Sequence, residues 1–465
     1  MVIDLSKDTK LHIHFIGIGG ISMSGIAHIL LEQGHSISGS DRNASPITEK
    51  LKAKGAEVYV GHSREYVKDP DLVVYTSAVD QSNPELQAAR EKGIETIDRA
   101  SMLGLLMKEY RYNVAVAGAH GKTTATSMVS LIMENAGLDP TLLIGGELDK
   151  IGGNVKVGSS PYLVTEACEY RENFLKFLPY IAVILNVDQD HLDYFRDFAH
   201  IKTAFERFAN LVPDHGWVVA YQGDSALMDI VKGLSCNVIT YGLDGDAQVA
   251  ATNMTFDTNG RSAFDLYIER DFIDRIWLAL PGEHNVLNAL AAISVSRILK
   301  IDIDTVKATL GTFTGTHRRF EIKGRLKGSM VVDDYAHHPA EIRATLAAAQ
   351  NFPHNQIWCV FQPHTYTRTK FLLYEFADSF KGADRIIITD IYAAREKDTG
   401  EIHSTHLVEA IKANDQNAIY IPGFEDVVRH LSENLQAGDL VLTVGAGDVY
   451  KIGEMLLEAP KKAAH

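Results

Sequence analysis

Gly118, Gly121, Lys122, Thr123 and Thr124 stand together in the string N-V-A-V-A-G-A-H-G-K-T-T-A-T-S-M-V-S-L-I-M-E, residues 113–134. That grouping suits phosphate chemistry. A glycine-rich turn offers backbone N–H groups, a lysine adds a point charge, and a threonine hydroxyl can ligate Mg²⁺. Ala119 and His120 fill the turn, and Val116 replaces the first glycine of the usual phosphate-loop pattern. The β-branched and alanine run at 113–117 predicts a buried strand, and a helical pattern follows. A capping turn without a ligand is the plain alternative, and it leaves the strand, turn, Lys-Thr and helix succession unexplained. The loop predicts use of ATP or GTP.

Further polar groups fall where open α/β sheets place ligands, after strands. Tyr162–Glu166 and Ile181–Asn186 predict strands, and the loop 187–193 after the second carries His191. A carboxylate, an imidazole and the Thr123 hydroxyl suit a Mg²⁺ site that retains waters; two surface polars are the alternative. A second glycine turn, Gly17-Ile18-Gly19-Gly20, lies between a predicted strand (12–16) and a predicted helix (23–33), with Asp41 closing the next strand (36–40). It resembles a dinucleotide fingerprint with Ser22 in place of the third glycine, so a bound nucleotide and a tight turn both stay open.

These residues need scaffolds. At 465 residues the chain predicts about three domains. Strands near 57–60, 72–76 and 95–97 alternate with helices, one opened by Pro84, and imply a parallel sheet in a first domain, 1–107. The second, 108–322, holds the phosphate loop. Its stretch 249–279 predicts an antiparallel ribbon turning at Thr258-Asn259-Gly260, closed by Pro281–Asn285 and followed by a helix over 286–299, in which Asn288 is an odd polar insert. The third, 323–465, predicts strands at 330–332, 357–361, 385–389, 418–421 and 439–443 and a frayed tail at 460–465. The polar loops Asp333–Pro339, Gln362–Thr369 and Gly445–Val449 follow strands. The expected fold class is α/β in three domains: a Rossmann-like N-terminal domain, a central phosphate-loop parallel sheet with an antiparallel ribbon, and a C-terminal Rossmann-like domain.

The formal charge of −15, from 60 acidic and 45 basic residues, argues against a nucleic-acid or anionic-membrane surface. No signal-type start and no unbroken apolar stretch of about 18 residues occurs, so a cytoplasmic place without membrane insertion is expected. Cys168, Cys236 and Cys359 lie far apart and predict reduced thiols.

Read together, G-A-H-G-K-T-T, T-E-A-C-E-Y, N-V-D-Q-D-H-L-D-Y-F, P-G-E-H-N-V-L-N-A-L-A-A, H-R-R-F-E, D-D-Y-A-H-H-P, F-Q-P-H-T-Y-T-R-T and V-G-A-G-D resemble, in order over nearly the whole chain, the Mur ligases of peptidoglycan synthesis. I-H-F-I-G-I-G-G-I-S-M-S-G-I-A, with D-D-Y-A-H-H-P and F-Q-P-H, resembles the alanine-adding branch. The resemblance implies ATP-dependent ligation of L-alanine to the lactyl carboxylate of UDP-N-acetylmuramate through an acyl phosphate. It implies two Mg²⁺ ions, with Mn²⁺ as a substitute, held in part by Thr123, Glu166 and His191. Lys122 would hold the β/γ-phosphates, and Asn285, Asn288, Arg319 and Asp334 would contact the nucleotide. Gly17, Gly19, Gly20, Ser24 and Gly25 would cradle the UDP diphosphate, with Asp41, Ser77, His120 and Asn154 also on the UDP-sugar side. Tyr335, His337 and Arg368 would line the amino-acid and acyl-phosphate site. Relatives often carry Arg after Q-P-H where this chain has Thr365, which removes a cation or assigns its work to Arg368. A zinc site at His337-His338 has no thiolate partners to support it.

Three rivals remain at this stage. A recycling ligase of the same family would add a tripeptide to the same nucleotide sugar. A nicotinamide oxidoreductase would use 17–41 and leave the phosphate loop idle. An ATP-sensing regulator would bind without turnover. A monomer and a homodimer are both compatible with the sequence.

Overall fold

The computed structural model describes residue 5 and residues 9–462, apart from 77, 192, 193 and 395. Ser77, expected on the substrate side, therefore lies outside the described residues, as do Leu192 and Asp193 of the His191 loop and 463–465 of the tail. The chain divides into two compact units. The first is Met1–Val187 with Ile201–Tyr241 and Ala291–Val306, and the second Asp188–His200 with Gly242–Leu290 and Lys307–His465.

The first unit holds two sheets. In one, β1 (His12–Ile16), β2 (Ser36–Asp41), β3 (Glu57–Val60), β4 (Leu72–Tyr75) and β5 (Glu95–Asp98) line up as β3-β2-β1-β4-β5, every pair parallel. The order reverses between β1 and β4, and the turn Gly17–Gly20 leaves β1 at that switch point, where such sheets take ligands. The helix Pro84–Glu91 opens as expected, with Asn83 accepting from the N–H groups of Glu85 and Leu86.

The other sheet contains β6 (Tyr112–Ala117), β7 (Thr141–Leu148), β8 (Gly153–Lys156), β9 (Tyr162–Glu166), β10 (Ile181–Ile184), β11 (Trp217–Tyr221) and β12 (Asn237–Gly242), in the order β12-β11-β10-β6-β9-β7-β8. β6 is central and Val114–Ala117 are wholly buried, which is why its sequence is continuously apolar rather than alternating. β7, β8, β11 and β12 are elements beyond those read from the sequence, and β10 ends at Ile184, so that Leu185 and Asn186 already belong to the loop.

In the second unit the expected ribbon has three strands, β13 (Val249–Phe256), β14 (Ser262–Ile268) and β15 (Asp271–Leu278), antiparallel throughout. Its first turn closes with Gly260 at φ +74°. The third sheet, β16 (Glu321–Leu326), β17 (Ser329–Asp334), β18 (Ile357–Phe361), β19 (Arg385–Ile388), β20 (Ala418–Tyr420) and β21 (Leu440–Val444), runs β16-β17-β21-β18-β19-β20. Only β16 is antiparallel, to β17. Alternate residues of its strands feed two separate cores. Val332, Cys359, Ile388 and Leu442 pack to one side, while Val331, Val360, Ile387 and Val441 pack to the other with Val427, Ile452 and Leu456.

Three local expectations change. Pro281–Asn285 does not stay a loop: the helix begins at Glu283 and runs to Ile298, because Gly282 at φ +90° turns the chain directly into it. Tyr366–Phe371 is a helix rather than loop. The last helix spans Tyr450–Lys462, so the chain stays helical past Pro460. The three cysteines are free, and burial pushes each thiol's pKa up. Among the described residues no helix is long and apolar enough to cross a membrane. Three sheets, each flanked by helices or extended by a ribbon, make a three-domain α/β architecture.

Candidate active site

In the first unit the phosphate loop leaves β6 at Gly118 and enters the helix Lys122–Asn135. Gly118 needs its hydrogen: at φ +142°, a Cβ there would lie 3.1 Å from Leu185 Cβ and 3.2 Å from Asn186 N. Gly121 caps the helix at φ +81° and supplies no side-chain bond. The N–H groups of Ala119, Gly121, Thr123 and Thr124 have no partner among the described residues. Unspent donors at a helix N-terminus are what an anion needs. Asn186 clamps the loop from the side. Its Oδ1 accepts from His120 N at 3.0 Å and its Nδ2 donates to His120 O at 3.2 Å. Lys122 is folded back. Its Nζ donates to the carbonyls of Gly118 and Ala119 and pairs with Glu169 Oε2 at 3.0 Å, Glu169 being 2% exposed.

Thr123 is buried beneath the loop. Glu166 stands at the end of β9, in register with Val116 of β6. Its Oε1 accepts the Gly145 N–H at 2.7 Å. A Cβ on Gly145 would fall 2.5 Å from Glu166 Oε2 and 2.6 Å from Oε1, so this glycine makes the space the carboxylate occupies.

The other glycine turn behaves differently. Gly17 N and Ile18 N donate to Ser40 O at 2.8 and 2.9 Å, Gly20 N to Gly17 O at 3.3 Å, and Gly19 N to Asp41 Oδ2 at 2.9 Å. These amides are spent inside the protein, and Asp41 is held on the turn. Among the described residues the donors left over are the N–H groups of Ile21, Ser22 and Met23 at the start of the helix Ile21–Glu32, whose N-cap Gly20 offers no side chain. Of the residues expected to cradle the UDP diphosphate, Gly17, Gly19 and Gly20 form this turn, and Ser24 and Gly25 lie in the helix that follows. Ser24 is buried with its Oγ on Ile21 O at 2.9 Å, and Gly25 lies inside the helix, where a Cβ would come 2.2 Å from Leu143 Cδ1. Asn154 also donates to Ile21 O, at 2.9 Å, so that carbonyl takes two side-chain donors.

In the second unit a polar constellation gathers after β17 and β18. Asp334 accepts from Phe320 N at 2.8 Å and Ala336 N at 2.7 Å, yet burial pushes its pKa up to about 6. Arg318 and Arg319 both stack on Tyr335, 4.9 and 5.1 Å from its centroid. Arg318 is tied down by Asp333 and the Gly445 carbonyl, whereas Arg319 makes a longer, 3.8 Å contact with Glu341. Glu341 also accepts the N–H groups of His337 and His338, and its side chain closes the N-terminus of the helix Pro339–Ala349. His337 packs edge-on to Tyr335 and His364, and burial holds its pKa down at about 4. His338 Nε2 is 2.9 Å from Gln189 O, and its Nδ1 accepts the Ala340 N–H and so caps the helix.

Arg368 lies on the short helix. It contacts His364 Nδ1 at 3.1 Å and donates to Asp190 Oδ1 at 3.0 Å. Burial would raise the Asp190 pKa, but His191, Arg368, His337 and His338 together hold it far below the usual carboxylate range. His191 itself has φ +56°, its N–H bonded to Asp190 Oδ1 at 2.6 Å. Asn285 and Asn288 are buried together, Asn288 Nδ2 on Asn285 Oδ1 at 3.2 Å and Asn285 Nδ2 on Pro281 O at 2.7 Å, which explains the polar insert in that helix. Gln362 accepts from Asp448 N and Val449 N and so joins the Q-P-H loop to the last glycine turn.

Glu169, Asn186, Asp190, Glu341 and Gln362 are polar groups of these sites beyond the residues singled out by sequence. Four of them lie inside or beside the motifs T-E-A-C-E-Y, N-V-D-Q-D-H and F-Q-P-H, so motif membership was the available signal. Their partners are backbone amides or distant cations that only folding supplies.

Comparison with known proteins follows this layout. Residues 12–111 match the Mur ligase family catalytic-domain model, 116–296 the Mur ligase middle domain, and 318–447 the Mur ligase glutamate ligase domain. The chain is 55% identical over 462 residues to a UDP-N-acetylmuramate--L-alanine ligase of Caldanaerobacter subterraneus, covering 99% of this chain and 100% of the relative. It is 56% identical to the protein so named in Acetivibrio thermocellus, covering 97% of each. Among solved structures, the UDP-N-acetylmuramate-alanine ligase MurC of Thermotoga maritima is similar with TM-score 0.82 at 29% identity, over 97% of this chain and 100% of that one. A murein peptide ligase of Psychrobacter arcticus gives TM-score 0.72 at 26% identity, over 97% and 98%. Full-length identity well above 50% and three consecutive domain matches leave one assignment: the chain belongs to the Mur ligase family.

Proposed function

We propose that this protein joins L-alanine to the lactyl carboxylate of UDP-N-acetylmuramate with ATP, giving ADP and phosphate, in the cytoplasm. Supporting this are the phosphate loop, with four unspent N–H groups beside Lys122, and the identity of the whole chain to relatives named for that reaction. The loop is the observation that carries the reading. The working division is residues 1–107 for the UDP-sugar, 108–322 for ATP and 323–465 for the amino acid.

A carboxylate is a poor electrophile. Its oxygen attacks the γ-phosphorus of ATP, ADP leaves, and the acyl phosphate now carries a good leaving group. The alanine nitrogen then attacks the acyl carbon, phosphate departs with the former carboxylate oxygen, and the amine proton passes to solvent or a nearby base. Lys122 leaves Glu169 for the β/γ-phosphates, and Arg319, loosely held by Glu341, neutralises phosphate charge. Asn285, Asn288 and Asp334 shape the nucleotide side. The Thr123 hydroxyl, the Glu166 carboxylate and the His191 imidazole are each suited in type to ligate Mg²⁺ or Mn²⁺, and the Gly145 N–H fixes the orientation of Glu166. Divalent ions held there, two in the family pattern, would screen repulsion between carboxylate and triphosphate. Tyr335, His337 and Arg368 form the amino-acid side. His120 and Asn154 serve the UDP-sugar side, and the helix start at Ile21–Met23 supplies the N–H groups for its diphosphate.

The tripeptide-adding rival has less support, since the solved murein peptide ligase is the more distant of the two structural relatives. The oxidoreductase rival has less still, because the Gly17–Gly20 amides are already bonded within the protein. Phosphate release from ATP, Mg²⁺ and UDP-N-acetylmuramate should be triggered by L-alanine, with glycine and L-serine slower. Release triggered only by the tripeptide would assign the recycling reaction instead.

A further inference from the structure

The helix Tyr366–Phe371 carries Arg368 but has no cap of its own. Its N-cap, Thr365, sits at φ +65° and ψ +148° and makes no side-chain capping bond. Backbone in that region strongly favours glycine. The first-turn N–H groups therefore need an acceptor from outside the helix. One comes from the segment between β19 and the helix Ser404–Ala413. Glu396 Oε2 accepts from Thr367 N at 2.9 Å, and Glu396 Oε1 accepts from the Thr367 hydroxyl. The same segment is fastened by four more contacts. Thr365 N donates to Tyr392 O at 3.0 Å, and Tyr392 N to Pro363 O at 2.8 Å. The His364 ring stacks on Tyr392, with centroids 5.8 Å apart and planes 16° apart. Lys370 pairs with Glu401 at 2.9 Å.

We propose that Glu396 is a positioning residue for the amino-acid end of the reaction, acting as a remote N-cap that fixes the turn on which Arg368 and His364 meet. The inference rests on the reading that Arg368 lines the amino-acid site. It assigns to Tyr392, Glu396 and Glu401 a share of that site that sequence motifs do not mark. Glu396 touches no substrate in this account. It sets the direction of a guanidinium that must also stay paired with Asp190, and a loosened first turn lets that guanidinium swing with the helix. Glutamine is the informative replacement. Its carbonyl can take the Thr367 N–H and its amide can donate to the Thr367 hydroxyl, so the cap survives without the charge.

The test compares Glu396→Ala and Glu396→Gln in the full chain, measuring KM for L-alanine, ATP and UDP-N-acetylmuramate together with amide hydrogen exchange across 364–371. Glu396→Ala should raise the alanine KM on the order of five- to tenfold, the ratio a lost helix cap corresponds to. The other two KM values should stay in place and Thr367 exchange should accelerate, while Glu396→Gln remains within about twofold of the parent on every reading. An unchanged alanine KM in Glu396→Ala would overturn the proposal, as would an equal rise in all three constants. A Glu396→Gln variant as impaired as the alanine variant would also overturn it, because the charge rather than the cap would then matter. If the parent protein gives no alanine-dependent turnover, the functional reading fails. The exchange rate at Thr367 still decides whether Glu396 caps the helix.

Discussion

Gly145→Ala tests how tightly the fold holds Glu166. The residue lies in β7 with ordinary negative φ, so alanine is conformationally allowed and the strand should keep its path. The new methyl would sit 2.5 Å from Glu166 Oε2 and 2.6 Å from Oε1. Ordinary contact begins near 3.4 Å, so one group must retreat by roughly 1 Å, and the end of a flexible side chain moves more easily than a strand. The Gly145 N–H bond that orients the carboxylate would stretch or break with it. Loss of an orienting contact to a metal ligand weakens metal binding by roughly 10–100-fold, and a displacement of about 1 Å at a reacting site can cost about 100-fold in rate. The variant should therefore melt within a few degrees of the parent while its Mg²⁺ half-saturation rises at least about tenfold and its kcat falls. The assay is phosphate release against Mg²⁺ concentration, with a thermal melt as the fold control. A well-folded variant with parental Mg²⁺ dependence would refute the assignment of Glu166 to the metal.

Lys122→Met should stop phosphate release and also lower stability by about 2 kcal/mol, since a mostly buried carboxylate loses its ammonium; adding Glu169→Gln should restore the melting temperature but not turnover, and turnover in either variant would count against the phosphate loop. Gly25→Ala should destabilise by about 1–3 kcal/mol through overpacking against Leu143, read by urea unfolding, whereas a neutral result would contradict that close packing. His337 has its pKa lowered to about 4 by burial, against an ordinary 6.5. Its folded pKa lies below the unfolded one, so its contribution is complete above pH 6.5 and is lost as pH falls towards 4, by ~3 kcal/mol at the most. His284 titrates in the same window, so His337→Gln should flatten part of that acid loss in pH-dependent unfolding; an unchanged slope would contradict a half-buried His337 held neutral.

How much of this was legible in the sequence depends on where each group finds its partner. The strand, glycine turn and helix around Lys122 could be read because apolar period, Gly and Lys-Thr all lie within about twenty consecutive residues. β7 was unreadable for a physical reason: T-L-L-I-G-G-E-L carries two glycines that look like a break, and only the neighbouring Glu166 explains one of them. The Gly17–Gly20 turn shows the converse. Its pattern suggests a cradle of glycine amides; in the structure Ser40 O, Asp41 and Gly17 O accept them, and no sequence rule foretells bonds to the next strand's end. In the sequence Thr365 stands out only as a missing cation. The structure adds that its strained backbone leaves a helix uncapped, and that Glu396, thirty-one positions later in the chain, completes it.

The central claim is that the carboxylate oxygen is phosphorylated before the amine attacks. UDP-N-acetylmuramate with ¹⁸O in its lactyl carboxylate, incubated with the protein, ATP, Mg²⁺ and L-alanine, tests this by mass analysis of the released phosphate. The account predicts one ¹⁸O in each phosphate derived from fully labelled substrate, in step with amide formation. Unlabelled phosphate accompanying the same amide would contradict it.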